Sequence, residues 1–184
     1  MIRPVTTIRD VLDFWFGERA SALWFEKDPA FDAEIRERFL ALVEAAAAGA
    51  HDDWLETPEG ALALVVLLDQ FPRNMHRGRP AAFAHDARAR EVAAAALARG
   101  HDRALPAAQR SFLYLPFEHS EDLVDQDRSV ALFRALGDPV GLDYAVRHRE
   151  IVARFGRFPH RNAILGRAST PEEEVFLEGP QSSF

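Results

Sequence analysis

The chain has 184 residues, of which 48% are hydrophobic and 28% are charged, a composition typical of one globular domain with its own core. Its formal net charge of -7 disfavours a nucleic-acid-binding surface, and the absence of cysteine excludes disulfides, thiolate metal sites and a cysteine nucleophile. We therefore expect a single domain over residues 1–184, with a C-terminal tail at about residues 179–184.

The sequence also argues against a membrane-spanning segment and against secretion. Its longest run of apolar residues, Ala61–Leu68, is far shorter than the roughly 20 residues that cross a bilayer. Residues 1–17 carry Asp10 and Asp13 where a signal peptide would have an unbroken apolar stretch. A cytoplasmic protein is therefore expected.

Three helices are predicted in the first part of the chain. The first covers residues 7–16, with a threonine as its cap and a glycine directly after it. An Asp-Pro pair at residues 28–29 opens a second, longer helix that ends near Gly49. The third starts at residues 57–59 and contains Ala61–Leu68, which is apolar on every side over two turns. This third helix is expected to be central in the fold.

Five further helices are predicted in the rest of the chain, each bounded by a cap, a glycine or a proline. Their ranges are residues 84–99, 106–115, 120–136 and 142–155, followed by a C-terminal helix that opens with a capping box at residues 170–173. Pro116 is expected to stop the second of these five. No stretch alternates apolar and polar residues as a half-buried strand does.

Eight helices joined by short proline- and glycine-containing connections predict an all-α fold of antiparallel helix pairs, in a bundle or a superhelix. No strict repeat of fixed period is present. Phe71–Asn74 and Phe158–Asn162 nevertheless share a Phe-Pro start followed by Arg and Asn. Divergence of helix pairs would produce this similarity, and so would chance.

The first of three polar clusters follows the apolar run and contains Asp69, Arg73, Asn74 and His76. Arg73 is four residues after Asp69, the spacing that brings two side chains onto one helix face, and a buried carboxylate needs such a partner. Pro72 should kink or end the helix, because its ring clashes with a carbonyl of the preceding turn. Two interpretations stay open: the pair pins the helix end, or it belongs to a functional site.

The second cluster consists of Glu118 and His119, which precede Ser120, Glu121 and Asp122. The last three residues are typical of a helix N-terminus and need no functional explanation. Glu118 and His119 remain as candidate acid or base groups, because histidine titrates near neutral pH.

The third cluster contains Arg154, Arg157, His160, Arg161 and Asn162, with aromatic residues interleaved. Arginine side chains bind carboxylate or phosphate through two parallel hydrogen bonds, so one interpretation is an anion receptor. The other is a solvated, arginine-biased loop, since Lys27 is the only lysine among 22 basic residues.

No metal site and no cofactor are expected. The histidines and acidic residues show no H-E-x-x-H pattern or other tight ligand spacing. The chain also lacks the G-x-S-x-G setting of a serine nucleophile and the glycine-rich loop that binds phosphate after a strand.

Four segments spread over nearly the whole chain resemble the DUF924 family of bacterial proteins. They are residues 11–17 (VLDFWFG), 67–74 (LLDQFPRN), 115–121 (LPFEHSE) and 157–162 (RFPHRN). The resemblance implies an all-helical, tetratricopeptide-like fold, and it implies no established biochemical activity.

The leading hypothesis is a site for a small carboxylate or phosphate where the three polar clusters converge. The candidate catalytic residues are Asp69, Glu118 and His119. The candidate ligand-binding residues are Arg73, Asn74, His76, Arg157, His160, Arg161 and Asn162. A hydrolase or a transferase would use such groups, and a pocket that only binds its ligand would use them too.

The alternative hypothesis is a tetratricopeptide-like scaffold whose groove holds a peptide or a partner protein. It predicts an open groove with exposed aromatic residues, whereas the ligand hypothesis predicts a closed pocket lined by the polar residues. Neither a nucleic acid nor a membrane is expected as a partner, and the sequence is compatible with a homodimer.

Overall fold

The computed structural model describes residues 7–180 and residue 182, and every regular element in this part of the chain is helical. The all-α prediction is therefore confirmed. The helices are α1 (Ile8–Trp15), α2 (Glu18–Ser21), α3 (Pro29–Ala47), α4 (Pro58–Val65), α5 (Phe71–Met75), α6 (Asp86–Ala98), α7 (Ala107–Glu118), α8 (Leu123–Leu136), α9 (Pro139–Phe155) and α10 (Pro171–Leu177). Short 3-10 turns lie at Asp52–Glu56, Pro80–Phe83, His101–Ala104 and Pro159–Arg161.

The described chain divides into two compact units. The N-terminal unit comprises the chain up to Arg77 together with Ala81–Pro116. The C-terminal unit comprises Gly78–Pro80 together with the chain from Phe117 onward. The single domain expected from chain length stays a prediction. In the predicted tail, residues 181, 183 and 184 lie outside the described residues.

Side-chain caps begin four of the helices at the residues that the sequence indicates. Thr7, Asp28 and Thr57 accept hydrogen bonds from backbone N–H groups in the first turns of α1, α3 and α4. Thr170 and Glu173 form the predicted capping box of α10. Each cap satisfies a backbone donor that the helix itself leaves without a partner.

The N-terminal unit packs around α4 and its continuation, as the apolar run predicts. All eight residues of Ala61–Leu68 are buried. Aromatic rings pack beside them: the ring of Phe71 lies 5.5 Å from that of Trp15 and 4.6 Å from that of Phe39. Such aromatic pairs contribute about 0.5–1.5 kcal/mol each beyond the area that they bury.

Two prolines lie inside helical structure, although each was expected to end or kink a helix. After α4 the backbone widens into a π turn over Val66–Gln70, in which the N–H of Phe71 bonds to the carbonyl of Val66. Pro72 then lies in the first turn of α5, directly after this wider turn of the same helical segment. Pro116 lies in the last turn of α7, which continues two residues past it.

In the C-terminal unit α8 and α9 pack against each other as a hairpin. Gly137 ends α8 with a φ of 74°, a conformation that glycine adopts without strain. Asp138 caps α9, which therefore begins earlier than predicted. A Cβ on Gly141 would lie only 2.6 Å from Cδ1 of Phe133, so the absence of a side chain lets the two helices approach closely here.

Candidate functional site

The first polar cluster contains a set of ion pairs in the N-terminal unit that we name the Asp69 clasp, and its members are Asp69, Arg73 and Asp86. Asp69 is fully buried and lies 3.2 Å from an Nη of Arg73. Two nitrogens of Arg73 donate to the two carboxylate oxygens of Asp86 at 2.9 and 3.0 Å. Burial alone would lower the pKa of Arg73, but attraction by the two carboxylates outweighs it and raises that pKa. These contacts favour the interpretation that the pair pins a helix end.

Asn74 and His76 lie at the end of the same helical segment. Asn74 donates a hydrogen bond of 2.9 Å to Asp32 in α3. Arg77 donates two more to the same carboxylate, at 2.8 and 2.9 Å. His76 is half-buried and directly follows α5. Asn74 thus ties α5 to α3, a structural role that sequence alone does not distinguish from ligand binding.

Arg157 and Asn162, predicted to bind a ligand, bond to the start of α10. Arg157 donates to both carboxylate oxygens of Glu173 at 2.6 and 2.7 Å, and Asn162 donates to this carboxylate at 3.3 Å. The hydrogen bonds from Arg157 are the main cause that lowers the pKa of Glu173 to about 2. These contacts hold the segment after α9 to α10.

With the exception of Arg154, the rest of the second and third clusters meets around the buried ring of Phe158 in the C-terminal unit. His148 packs edge-on against this ring with 5.5 Å between centroids, and the ring of His160 lies 5.6 Å from it. The guanidinium carbon of Arg161 is 4.5 Å from the centroid of Phe158. The rings of His119 and His148 are 6.4 Å apart. We name this set the Phe158 cluster, and its members are Phe158, Glu118, His119, His148, His160 and Arg161.

His148 is held in one tautomer and is neutral. Its Nδ1 lies 2.8 Å from the carbonyl oxygen of Tyr144, and because a carbonyl only accepts, Nδ1 carries the hydrogen and Nε2 is an acceptor. Burial is the largest cause that lowers the pKa of His148 to about 3, and the nearby His119 and Arg161 lower it further. The approach of Nδ1 to Glu118, at 3.5 Å, is therefore not an ion pair at neutral pH.

His160 and Arg161 lie on the 3-10 turn that follows Phe158. Burial, and then the charge of Arg161, lower the pKa of His160 to about 4, so this imidazole is also neutral near pH 7. Arg161 is 7% exposed. Because a guanidinium keeps its charge even when buried, Arg161 supplies positive potential inside the cluster.

Glu121 and Arg167 hold the backbone that carries the aromatic ring of the cluster. Arg167 donates to both carboxylate oxygens of Glu121 at 2.7 and 2.9 Å, and the N–H of Phe158 donates to the same carboxylate at 2.8 Å. Burial alone would raise the pKa of Glu121, but the hydrogen bonds from Arg167 and Phe158 lower it. Glu121 therefore does more than begin a helix, which is the role that its sequence position suggests.

Gln126, on α8, fixes the end of α7. Its side-chain Nε2 donates to the carbonyl oxygens of Glu118 and Ser120 at 2.6 and 2.7 Å. Gln126 is fully buried. It thereby holds the backbone of Glu118 in the position from which the carboxylate reaches His148.

The sequence assigns Glu118, His119, His160 and Arg161 to the candidate site, but it assigns neither Gln126 nor His148 to it. A signal for the two missed residues exists. Each is a polar side chain within a helical stripe of buried apolar residues, Val130 and Phe133 on α8 and Ala145, Ile151 and Val152 on α9. A polar residue within a buried stripe needs a partner there.

Two surface cavities are lined by other residues. One of about 430 Å³ in the N-terminal unit lies beside Phe14 and Arg38 of α1 and α3, and one of about 270 Å³ lies between α9 and α10 beside Arg154 and Phe176. Within the described residues, no group of three or more histidine and acidic side chains is arranged to hold a metal ion. The Phe158 cluster is thus the candidate site on the basis of its internal chemistry.

The described residues thus form an all-helical protein with an internal polar cluster, in which Arg161, His148 and His160 contact Phe158 while Glu118 and His119 lie near His148. The chain belongs to the DUF924 family, described as bacterial protein of unknown function, whose family model matches residues 11–181. The resemblance of the four sequence segments is thereby confirmed.

A solved structure, the protein of unknown function ATU0120 from Agrobacterium tumefaciens, is similar to this chain. The two are 48% identical, the match covers 94% of this chain and 97% of that chain, and the TM-score is 0.90. None of the curated proteins compared matches this chain. In residues 7–180 and 182, no helix is both long enough and apolar enough to cross a bilayer.

Proposed function

We propose that the protein binds a small anion, a carboxylate or a phosphate, at the Phe158 cluster. The observation that carries the proposal is the position of Arg161, a buried guanidinium over an aromatic ring and beside the neutral imidazoles of His148 and His160. A buried guanidinium favours an anion, and neutral imidazoles can donate or accept hydrogen bonds without repelling it. His119 and His160 are half-buried, so the cluster is accessible to solvent on their side.

Glu118 and His119 are the groups that would transfer protons if the bound anion reacts, as in a hydrolase or a transferase. Glu118 is held by Gln126 through the backbone, and His119 lies next to it in the chain and near His148. Preorganised acid and base groups beside a fixed cation are what such reactions require. We assign Asp69 and Arg73 to the clasp rather than to this chemistry. A cytoplasmic location remains our expectation from the sequence.

A thermal-shift screen of the purified full-length protein against simple carboxylates and phosphates tests the proposal. A ligand at one hundred times its Kd stabilises the native state by about 2.7 kcal/mol. Arg161→Met should abolish the ligand-dependent rise in Tm. Arg154→Met is the matched control, because Arg154 is an exposed arginine of α9 that pairs with Glu172.

Two outcomes would overturn the proposal. One is a wild-type protein whose Tm no anion raises, and the other is an equal loss of the rise in both variants. The first outcome would favour a scaffold function, for which exposed apolar side chains one turn apart on α9, Val140 and Tyr144, offer a contact surface.

A further inference from the structure

Two polar atoms on the buried face of α8 have no hydrogen-bond partner among the described residues: Oε1 of Gln126 and Oγ of Ser129. Both residues are 0% exposed. Roughly nine in ten buried polar groups in proteins have a partner, and leaving one without costs free energy. Two such atoms three residues apart on one helix face therefore indicate that a polar molecule binds there.

The orientation of the Gln126 amide is fixed. The carbonyl oxygens of Glu118 and Ser120 lie 2.6 and 2.7 Å from its Nε2, and that of Phe117 lies at 3.5 Å. Carbonyl oxygens only accept, so the NH₂ group must face them. Oε1 consequently points away from the end of α7.

The helix register places these atoms opposite His148. Phe133 on α8 meets Gly141 on α9 at the close approach described above. Two turns of an α-helix are about seven residues, and residues seven apart lie on the same side of a helix. Because the two helices are antiparallel, the residue seven before Phe133 on α8 faces the residue seven after Gly141 on α9. Those positions are Gln126 and His148. One turn from the close approach, Ser129 faces Ala145 in the same way.

The groups that surround this position are predominantly acceptors. Nε2 of His148 has the lone pair, because Nδ1 donates to the carbonyl of Tyr144. The carboxylate of Glu118 lies 3.5 Å from Nδ1 of the same imidazole. An amide oxygen only accepts, so a molecule that satisfies Gln126 Oε1 must donate a hydrogen bond, whereas the hydroxyl of Ser129 can either accept or donate one. An amino group is the donor that suits a neutral acceptor beside a carboxylate.

We propose that the anion bound at the Phe158 cluster also carries an amino group, and that this group donates hydrogen bonds to Gln126 Oε1 and Ser129 Oγ. This inference rests on the proposed function. Arg161 and His148 both contact the ring of Phe158, which brings the cation for the anionic end into the same cluster as His148, the residue that the helix register places opposite Gln126. The ligand class is a small amino carboxylate or aminophosphonate, a zwitterion at neutral pH whose ammonium charge the carboxylate of Glu118 offsets where burial otherwise disfavours a cation.

Matched pairs of compounds that differ only by an amino group test this class by calorimetric titration. The pairs are propionate and β-alanine, butyrate and 4-aminobutyrate, succinate and aspartate, and ethylphosphonate and 2-aminoethylphosphonate. Within at least one pair the amino compound should bind at least about tenfold more tightly, because the other compound leaves buried acceptors without a donor. The carboxylate and phosphonate pairs distinguish the two sources of the anionic group.

Ser129→Ala should reduce this preference for the amino compound, and Gln126→Met should reduce it further. Ser111→Ala is the control, because the hydroxyl of Ser111 bonds to a carbonyl of its own helix. If Gln126→Met fails to fold, Ser129→Ala alone decides, since that change removes only a hydroxyl.

The possible failures are distinguishable. Equal binding of both members of every pair, or an undiminished preference in Ser129→Ala, would overturn this inference and leave anion binding intact; the two polar atoms would then hold only ordered water. Absence of binding by all eight compounds, together with the absence of any anion effect on Tm, would overturn the proposed function itself.

Discussion

The Asp69 clasp and the Phe158 cluster each contain an arginine next to a buried acidic residue, but their electrostatics differ. In the clasp, Arg73 lies between two carboxylates, those of Asp69 and Asp86, so one basic group pairs with two acidic groups. In the cluster, Arg161 lies over an aromatic ring, and its charge helps to lower the pKa of both His148 and His160. In the clasp the arginine lies between two carboxylates at a helix end, whereas in the cluster the arginine lies over an aromatic ring beside two imidazoles, and its charge also acts on the carboxylate of Glu121.

The largest effect is expected from Arg73→Met. This change leaves two carboxylates in the clasp without their cation, and breaking a buried ion pair from one side costs about 3–5 kcal/mol. Urea denaturation followed by circular dichroism would give the change in the free energy of unfolding.

Arg9→Ala is the control for this experiment. The Arg9 side chain is 88% exposed in its pair with Asp13, and exposed pairs contribute at most about 1 kcal/mol. If Arg73→Met costs no more than Arg9→Ala, the clasp is not a structural element, and the distinction from the Phe158 cluster fails.

The next effect develops gradually as the solution is acidified. Burial holds the pKa of His148 at about 3 in the folded state, well below the ordinary value, so the unfolded state binds a proton that the folded state does not. Stability should therefore be retained above about pH 6.5 and be lost as the pH falls from there toward 3. In His148→Gln the slope of unfolding free energy against pH should be shallower by about 1.4 kcal/mol per pH unit in this window.

Urea denaturation at a series of pH values measures this slope. The curves for wild type and His148→Gln should be parallel above about pH 7, where both states leave the imidazole neutral. Parallel curves at acid pH as well would show that His148 is not held neutral by the fold, and the contrast between the two arginines would lose its main support.

The smallest effect is expected from Ser129→Ala in the absence of ligand. Because the hydroxyl has no partner among the described residues, its removal leaves no donor or acceptor behind, and stability should change by less than about 0.5 kcal/mol. Thermal unfolding measures it. A loss above about 1 kcal/mol would mean that the hydroxyl is satisfied in the free protein, as by ordered water.

Much of the fold could be predicted from local chemistry. The caps at Thr7, Asp28 and Thr170 and the stop at Gly137 act within one turn, so the sequence displays them directly. The effect of the prolines could not be predicted in the same way. The π turn before Pro72 has no characteristic sequence pattern, because it depends on how the whole helix packs.

The candidate site could be predicted only in part. Glu118, His119, His160 and Arg161 are conspicuous because no cap or core pattern explains them. Gln126 enters the site only because α8 packs against the end of α7, a tertiary contact that spacing along the chain does not encode. The similar Phe-Pro segments also differ in structure, since one is the α-helix at Phe71 and the other leads into a 3-10 turn at Pro159.

The π turn at Val66–Gln70 determines the directions in which the side chains of α5 point around the helix axis. A π turn corresponds to one extra residue in an α-helix, and each α-helical residue turns the chain by about 100°. Removal of one residue here would rotate Phe71 out of the aromatic core and Arg73 away from Asp86. One extra residue within a helix, which usually destabilises it, is in this protein the means by which a buried helix orients the side chains of α5.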